Sequence, residues 1–333
     1  MNTIKSLKIL TLGCFAIAFL ASSCKEVKTT GAESSIAVIE KGDTKAPFFK
    51  LSLAQWSLHK AIFEEGMNPY DFAAKASELG FEGIEYVSAL YDEELKQNNY
   101  SPEAMAAFVA KNNEEAKKHG VTNVLIMIDG QGDLATTSAM ARKEAVENHF
   151  KWVDAAAAMN CSAIRVNLAG SKKADEWHVN AVDGLTQLAT YAKTKGINVL
   201  VENHGGLSSD ASKLAAVMVA VNMTNCGTLP DFGNFCVQRE DGSDYNGACG
   251  VEYDKYKGVA ELMPHALAVS AKAYDFDAQG NETTLDYTRL LQTVKDAGYT
   301  GFIGVEYEGN VLSEKAGIVA TKDLLVATAQ KLK

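Results

Sequence analysis

Four short apolar stretches in this chain each run into a carboxylate. Phe81-Glu82-Gly83-Ile84 leads to Glu85, Val199-Leu200-Val201 to Glu202, Gly227-Thr228-Leu229-Pro230 to Asp231, and Phe302-Ile303-Gly304-Val305 to Glu306. Strands covered on both faces read as unbroken apolar runs. In a parallel α/β barrel the C-terminal strand ends gather on one face, where such enzymes keep their chemistry. Acids gathered there repel one another unless a cation sits between them. The pattern predicts a metal-assisted enzyme.

The elements needed to hold those acids alternate along the chain. Apolar runs predict strands at 51–57, 83–87, 124–128, 163–168, 198–201, 228–231, 266–271 and 302–305. Helical stretches lie between them. One is opened by Ser101-Pro102-Glu103, an N-cap serine followed by proline in the first turn, and closes at Gly120. Others span 71–79, 138–159 and 285–297; one ends at Gly196, one is capped by Ser209-Asp210, and the last runs from Lys315 to the end. A phrase recurs: Leu79-Gly80-Phe81-Glu82-Gly83 matches Ala297-Gly298-Tyr299-Thr300-Gly301, with glycine ending a helix, an aromatic, then glycine opening a strand. Eight strands alternating with helices predict an α/β fold, a single parallel (β/α)8 TIM barrel over 47–333. No GxGxxG follows the first strand, which argues against a doubly wound open sheet.

That barrel makes the strand tips the candidate site: Gln55, Glu85, Asp129, Asn167, Glu202, Asp231, Ser270 or Lys272, and Glu306. Oxygen ligands with some imidazole suit Mn²⁺ or Mg²⁺ first, with Co²⁺ or Zn²⁺ as further options. Strand-end acids also cap following helices. That reading is as good as the functional one for Glu85, and better for Asp129. His204 lies two residues past Glu202 and so points the same way along an extended chain. Arg165 either grips substrate or holds a carboxylate such as Glu202. Trp56, Phe232, Phe235, Tyr274 and Tyr307 offer ring faces for a sugar or for the core. His265 reads as structural, while His119, His149 and His178 fall on or near helices and are expected in solvent. Trp152 and Trp177 are expected in the packing. The glycine-rich 236–256 stretch reads as a lid over the barrel mouth.

The N-terminus has a separate logic. Lys5 and Lys8 precede an apolar run from Ile9 to Leu20, then Ala21-Ser22-Ser23-Cys24. This is the layout of a cleaved export signal, too short to span a bilayer. The cysteine after small residues resembles a bacterial lipobox, which implies cleavage after residue 23 and a lipid on Cys24. Residues 24–46 read as a polar, flexible tether. The protein is thus expected outside the cytoplasm, on the periplasmic or outer-membrane side, touching membrane only through its anchor. The formal charge of −10 argues against nucleic acid and fits a small neutral substrate. Homo-oligomerisation stays open. Cys236 and Cys249 share one loop and either pair or stay free.

Three phrases carry a resemblance: Val201-Glu202-Asn203-His204-Gly205-Gly206, Pro230-Asp231-Phe232-Gly233-Asn234-Phe235 and Gly304-Val305-Glu306-Tyr307-Glu308-Gly309. Together they resemble the xylose-isomerase-like TIM barrels, the sugar phosphate isomerases/epimerases and ketose 3-epimerases. The resemblance covers the chain after residue 47. It implies Glu202, Asp231 and Glu306 as ligands of one divalent metal, with a histidine on the seventh strand as the fourth. Here that position reads Val269-Ser270-Ala271-Lys272, so either His204, the better candidate, or His265 moves in, or water fills the place, or the metal is weak or absent; His204 is otherwise a hydrogen-bond donor to substrate. The resemblance further implies Glu202 and Glu306 as catalytic groups in proton transfer beside a sugar carbonyl, through an enediolate. Lys272 either joins them by stabilising the enolate oxygen or forms a structural salt bridge with Glu306 or Asp231, the salt bridge being the plainer reading. Gln55, Glu85, Arg165, Asn167, Asn234 and Trp56 are the candidates for holding the sugar. Two other outcomes follow from the same site: elimination from a 3-keto-glycoside, or a lipid-anchored carbohydrate-binding protein without catalysis.

Overall fold

The apolar runs become strands in the structure, a computed structural model that describes residues 46–243, 245 and 247–332. The strands are β1 (Lys50–Ala54), β2 (Gly83–Val87), β3 (Thr122–Ile128), β4 (Ala163–Val166), β5 (Asn198–Glu202), β6 (Cys226–Leu229), β7 (Cys236–Arg239), β8 (Cys249–Glu252), β9 (Val269–Ala273) and β10 (Phe302–Tyr307). Eight of them form one parallel sheet in the order β6-β5-β4-β3-β2-β1-β10-β9, while β7 and β8 pair as a separate hairpin. The helices between strands cover the outside, and the side chains inside are almost all apolar or part of the site. The predicted eight-stranded parallel barrel is therefore present.

The ring is nearly closed. Where β6 meets β9, only isolated bridges at Thr228↔Ala266 and Asp231↔Ser270 join the edges. Pro230 sits at that joint and has no N–H to donate. Its carbonyl instead accepts from Ser270 N at 3.0 Å, and Phe232 N donates to Ser270 O at 3.1 Å.

Local chemistry sets the helix ends. Ser101 Oγ accepts from Ala104 N at the start of Pro102–His119, and Gly120 closes that helix in the left-handed region at φ 68°. Asp210, not Ser209, caps Ala211–Val221. Ser209 Oγ is used elsewhere, accepting from Gly205 N and donating to Asn234 O. Trp152 and Trp177 are buried in the packing, with Trp177 Nε1 donating to Leu168 O at 2.9 Å.

Several boundaries differ from the sequence expectation, and three of the differences bear on the site. The first strand stops at Ala54 because Gln55–Leu58 turns into a tight helical turn. The seventh barrel strand begins at Val269 rather than 266, because Met263–His265 forms a turn around Pro264; Lys272 therefore lies within the strand. The 236–256 stretch is not an open loop but carries the β7–β8 hairpin, which a Cys236–Cys249 disulfide ties. Cys161 and Cys226 are free. The leader, Cys24 and nearly all of the tether lie outside the described residues.

Candidate active site

Alternation along β10 turns Gly304 and Glu306 into the barrel, in register with Ser270 and Lys272 of β9. Glu202 is the last residue of β5, and Asp231 follows β6 by two residues. One oxygen each from Glu202, Asp231 and Glu306 lie within 4.8 Å of one another. All three residues are buried. Lys272 Nζ lies 2.8 Å from Glu306 Oε1 and 3.0 Å from Glu308 Oε1. Ser270 Oγ, 2.6 Å from Asp231 Oδ2 and 3.2 Å from Glu306 Oε2, shares its proton between two acids.

Strand β4 and the loops after β3, β4, β5 and β6 hold the other side. Arg165 Nε lies 2.8 Å from Glu202 Oε2, but its N–H is misaligned, so neither atom makes a hydrogen bond. Arg165 Nη1 donates to Asp129 Oδ1 at 2.9 Å, and Asn167 Nδ2 donates to the same oxygen at 2.7 Å. His204 Nδ1 lies 2.9 Å from Asn167 Oδ1. Asn234 Nδ2 donates to Glu202 Oε1 at 3.1 Å. Asp231 Oδ1 accepts from Gly233 N and Asn234 N, both at 2.8 Å. Asn203, fully buried, accepts from Asp231 N at 2.7 Å and donates to Asp231 O at 3.0 Å.

Burial works against every charge here, and neighbours decide the outcome. Burial pushes Glu202 up to about 7, with Arg165 working against it and Glu306 reinforcing it. Burial likewise raises Asp231 to about 7, opposed by Lys272 and reinforced by Glu202 and Glu306. For Lys272 burial favours the neutral amine, yet Glu306, Glu308, Asp231 and Glu202 hold it well above the ordinary lysine range. His204 is lowered to about 4 by burial and then by Arg165 and Lys272, so the ring is neutral at pH 7. Asp129 stays below the usual range, because Arg165 outweighs burial.

These acids fit a divalent cation. Their donor atoms converge, and Glu202 Oε2 is a buried oxygen with no hydrogen bond. Burial raises the pKa of Glu202 and of Asp231, and a cation between them would favour their charged forms. Glu202, Asp231 and Glu306 would be the ligands, all of them hard oxygen donors.

The cavity above them has a volume of about 620 Å³. Trp56, Arg165, Glu202, His204, Asn234 and Glu306 line it, as do Asp129 and Glu308. Other predicted positions fall elsewhere. Gln55 is fully buried; its amide binds Tyr91 Oη and Pro69 O, and its oxygen accepts from Val87 N, so it supports the turn after β1 rather than facing the cavity. Glu85 is not at a strand tip but within β2, buried below the cavity against Ser52 at 2.6 Å. Asn167 is not on this cavity's wall but behind it, bonded to Asp129 and His204 and lining the adjoining cavity. Lys272 also lies behind the wall, 1% exposed, as the ammonium partner of Glu306 and Glu308. His204 faces the cavity but stands outside the carboxylate cluster. Ser270 occupies the place expected for a fourth ligand, but it clamps two acids together.

Three residues escaped the sequence reading. Glu308 faces the cavity and shares Lys272; its signal was the Glu-x-Glu spacing from Glu306. Asn203 locks Asp231, and only its position beside Glu202 hinted at this. His149, expected in solvent, is 3% exposed.

A family model described as the xylose isomerase-like TIM barrel matches residues 73–327. The chain belongs to this family. Among solved structures, IolI protein with a bound zinc atom is similar at a TM-score of 0.63 and 14% identity, covering 86% of this chain and 99% of that one. D-psicose 3-epimerase crystallised with D-fructose gives a TM-score of 0.59 and 13% identity, covering 84% of this chain and 96% of that one. At such identities the likeness shows the fold. A C-glycoside deglycosidase alpha subunit from Arthrobacter globiformis is 35% identical over 54 residues, 16% of this chain and 15% of that protein. The chain thus matches only a small part of that relative's length.

Proposed function

We propose that this family member is a sugar-enolising enzyme: it takes a proton from the carbon beside a sugar carbonyl and returns it, as isomerases and epimerases do. One observation carries the reading. Two glutamates on different strands, Glu202 and Glu306, converge with Asp231 on one point at the floor of a cavity large enough for a sugar. Glu202, with a pKa near neutrality, is the base, since such a group holds and releases protons at working pH. The C–H proton passes to Glu202 and the electron pair moves onto the carbonyl oxygen. Glu306 delivers a proton to the opposite face, drawing it from the Lys272 ammonium 2.8 Å away. Lys272 and Ser270 also fix the rotamer of Glu306. Trp56 and neutral His204 meet the sugar's ring face and hydroxyls. A bound Mn²⁺ or Mg²⁺ would supply Lewis-acid polarisation of the carbonyl and offset the developing negative charge.

A second reading shares the same first step. The enolate expels the group on the next carbon, so that a 3-keto-glycoside loses its aglycone. The short match to a deglycosidase alpha subunit supports it. The export leader read in the sequence supports it too, since glycosides, unlike phosphorylated sugars, meet a bacterium outside.

The test is proton exchange in deuterated water with Mn²⁺ or Mg²⁺ and keto-sugars as substrates, followed by NMR. Exchange is expected, and Glu306→Gln should lower its rate by about 10²- to 10⁴-fold while sugar binding survives. Epimer formation separates the first reading from loss of the aglycone in the second. Absence of exchange with every keto-sugar would leave a carbohydrate-binding protein.

A further inference from the structure

A second cavity of about 380 Å³ adjoins the first, and Asp129, His204 and Tyr245 line both. The partition between them is built rather than accidental. Asn167 bonds both Asp129 and His204, and Arg165 fixes Asp129 from below. The far wall is the loop after β3, where Gly130 and Gly132 take positive φ of 69° and 99°. A Cβ on Gly132 would come within 2.9 Å of Ala145, so only glycine lets this loop lie against the helix Ala139–Ala158.

The lining of this chamber defines its ligand. His149 lies on its wall, 3% exposed, with Nδ1 set 2.7 Å from Ala145 O. A carbonyl oxygen only accepts, so Nδ1 carries the hydrogen and Nε2 is left as an acceptor. No protein group bonds Nε2 among the described residues. Asp133 adds a carboxylate and Tyr245 a phenol that is 40% exposed. These acceptors, with the Tyr245 hydroxyl and the Gln131 amide as donors, match the O–H groups of a polyol. Asp129 is already paired with Arg165, and Asp133 adds a further exposed carboxylate, so the chamber offers an anion no free cation among its lining residues. The Tyr245 ring, 5.0 Å from that of His204, offers a face at the boundary between the chambers.

We infer that the second chamber is a subsite for a neutral sugar ring joined to the one being enolised, so that the substrate is a disaccharide-like glycoside rather than a free hexose. The inference deepens the enolising reading and rests on it for the role of the first chamber. The joined volume supports it, since the first cavity alone already exceeds the needs of one hexose. Its geometry also places the second ring beyond His204, away from the carboxylate floor.

The test uses ligands that lack a carbonyl and so cannot be enolised. Calorimetry on the full chain compares trehalose with methyl α-glucoside. Trehalose is expected to bind about tenfold more tightly. Asp133→Ala, at the surface, and His149→Leu, inside, should each shrink that ratio toward one, whereas a general loss of fold would weaken both ligands alike. Equal affinities in the wild type, or a trehalose advantage that survives both substitutions, would overturn the inference. If trehalose is preferred yet no keto-sugar ever exchanges deuterium, the subsite stands and the catalytic reading falls.

Discussion

Glu85 and Glu306 are both buried acids on strands that flank β1, and they live in opposite environments. Glu306 has Lys272 at 2.8 Å and Ser270 beside it, and it faces the cavity. Glu85 has one hydroxyl, from Ser52, and no cation. Burial drives it up to about 8, with Ser52 opposing and Glu306 and Glu202 adding to the rise. It is protonated at neutral pH, with Oε2 unpartnered. The space for its carboxyl exists because β10 carries Gly304, whose Cβ would come within 2.5 Å of Glu85 Oε2. One side of the barrel thus neutralises its acid with an ion pair and the other with a proton. An acid at the end of an apolar run is therefore not, by that fact, a working group.

The harshest trial of that contrast is Lys272→Met. It strands Glu306 and Glu308 without their partner and should destabilise the metal-free protein by about 3–5 kcal/mol in denaturant titrations. A loss no larger than that of Ser52→Ala would erase the distinction between the two acids. Next comes pH. Glu85, Glu202 and Asp231 hold protons in the fold at pH values where the unfolded chain has released them. Raising pH from about 5 to 8 therefore favours unfolding, and metal-free stability should fall steadily over that window. Saturating Mn²⁺ should remove the part owed to Glu202 and Asp231 and leave the part owed to Glu85. A stability that instead climbs with pH would show that these acids are ionised throughout.

Gly304→Ala drives a methyl into the Glu85 carboxyl and should cost about 1–3 kcal/mol by thermal unfolding. Adding Glu85→Ala in the same chain should recover most of that loss, and simple additivity would show that the two do not touch. The gentlest change is Glu85→Gln, which keeps the shape of a protonated acid. It should shift stability by less than about 1 kcal/mol at pH 6.5 and flatten the alkaline decline. A large loss in activity from this variant would place Glu85 with Glu306 after all.

The barrel was legible because its strands are apolar on both faces and its helices start and stop with capping residues such as Ser101 and Gly120. The three converging acids were legible because each ends such a run. Depth was not. Glu85 and Glu306 look alike in sequence, and only strand register shows that one lies below the cavity and the other at it. Gln55 was misplaced for a related reason: the chain leaves the sheet three residues early, and the amide then satisfies backbone groups of its neighbours. His149 was misplaced because a helix of mixed polarity hides which face packs inward. The 236–256 stretch stood out by its length, but the pairing of Cys236 with Cys249 depends on a hairpin that its polar sequence does not announce.

The joint at Pro230 has a mechanical consequence. Asp231 stands on one edge of the barrel's least hydrogen-bonded junction, and Glu306 stands one strand beyond the other edge. An ion held between them would act as a rivet across that gap. Filling the site should then slow amide exchange at Phe232, Leu267 and Ser270, so that loading and stiffening of the whole cylinder become one event.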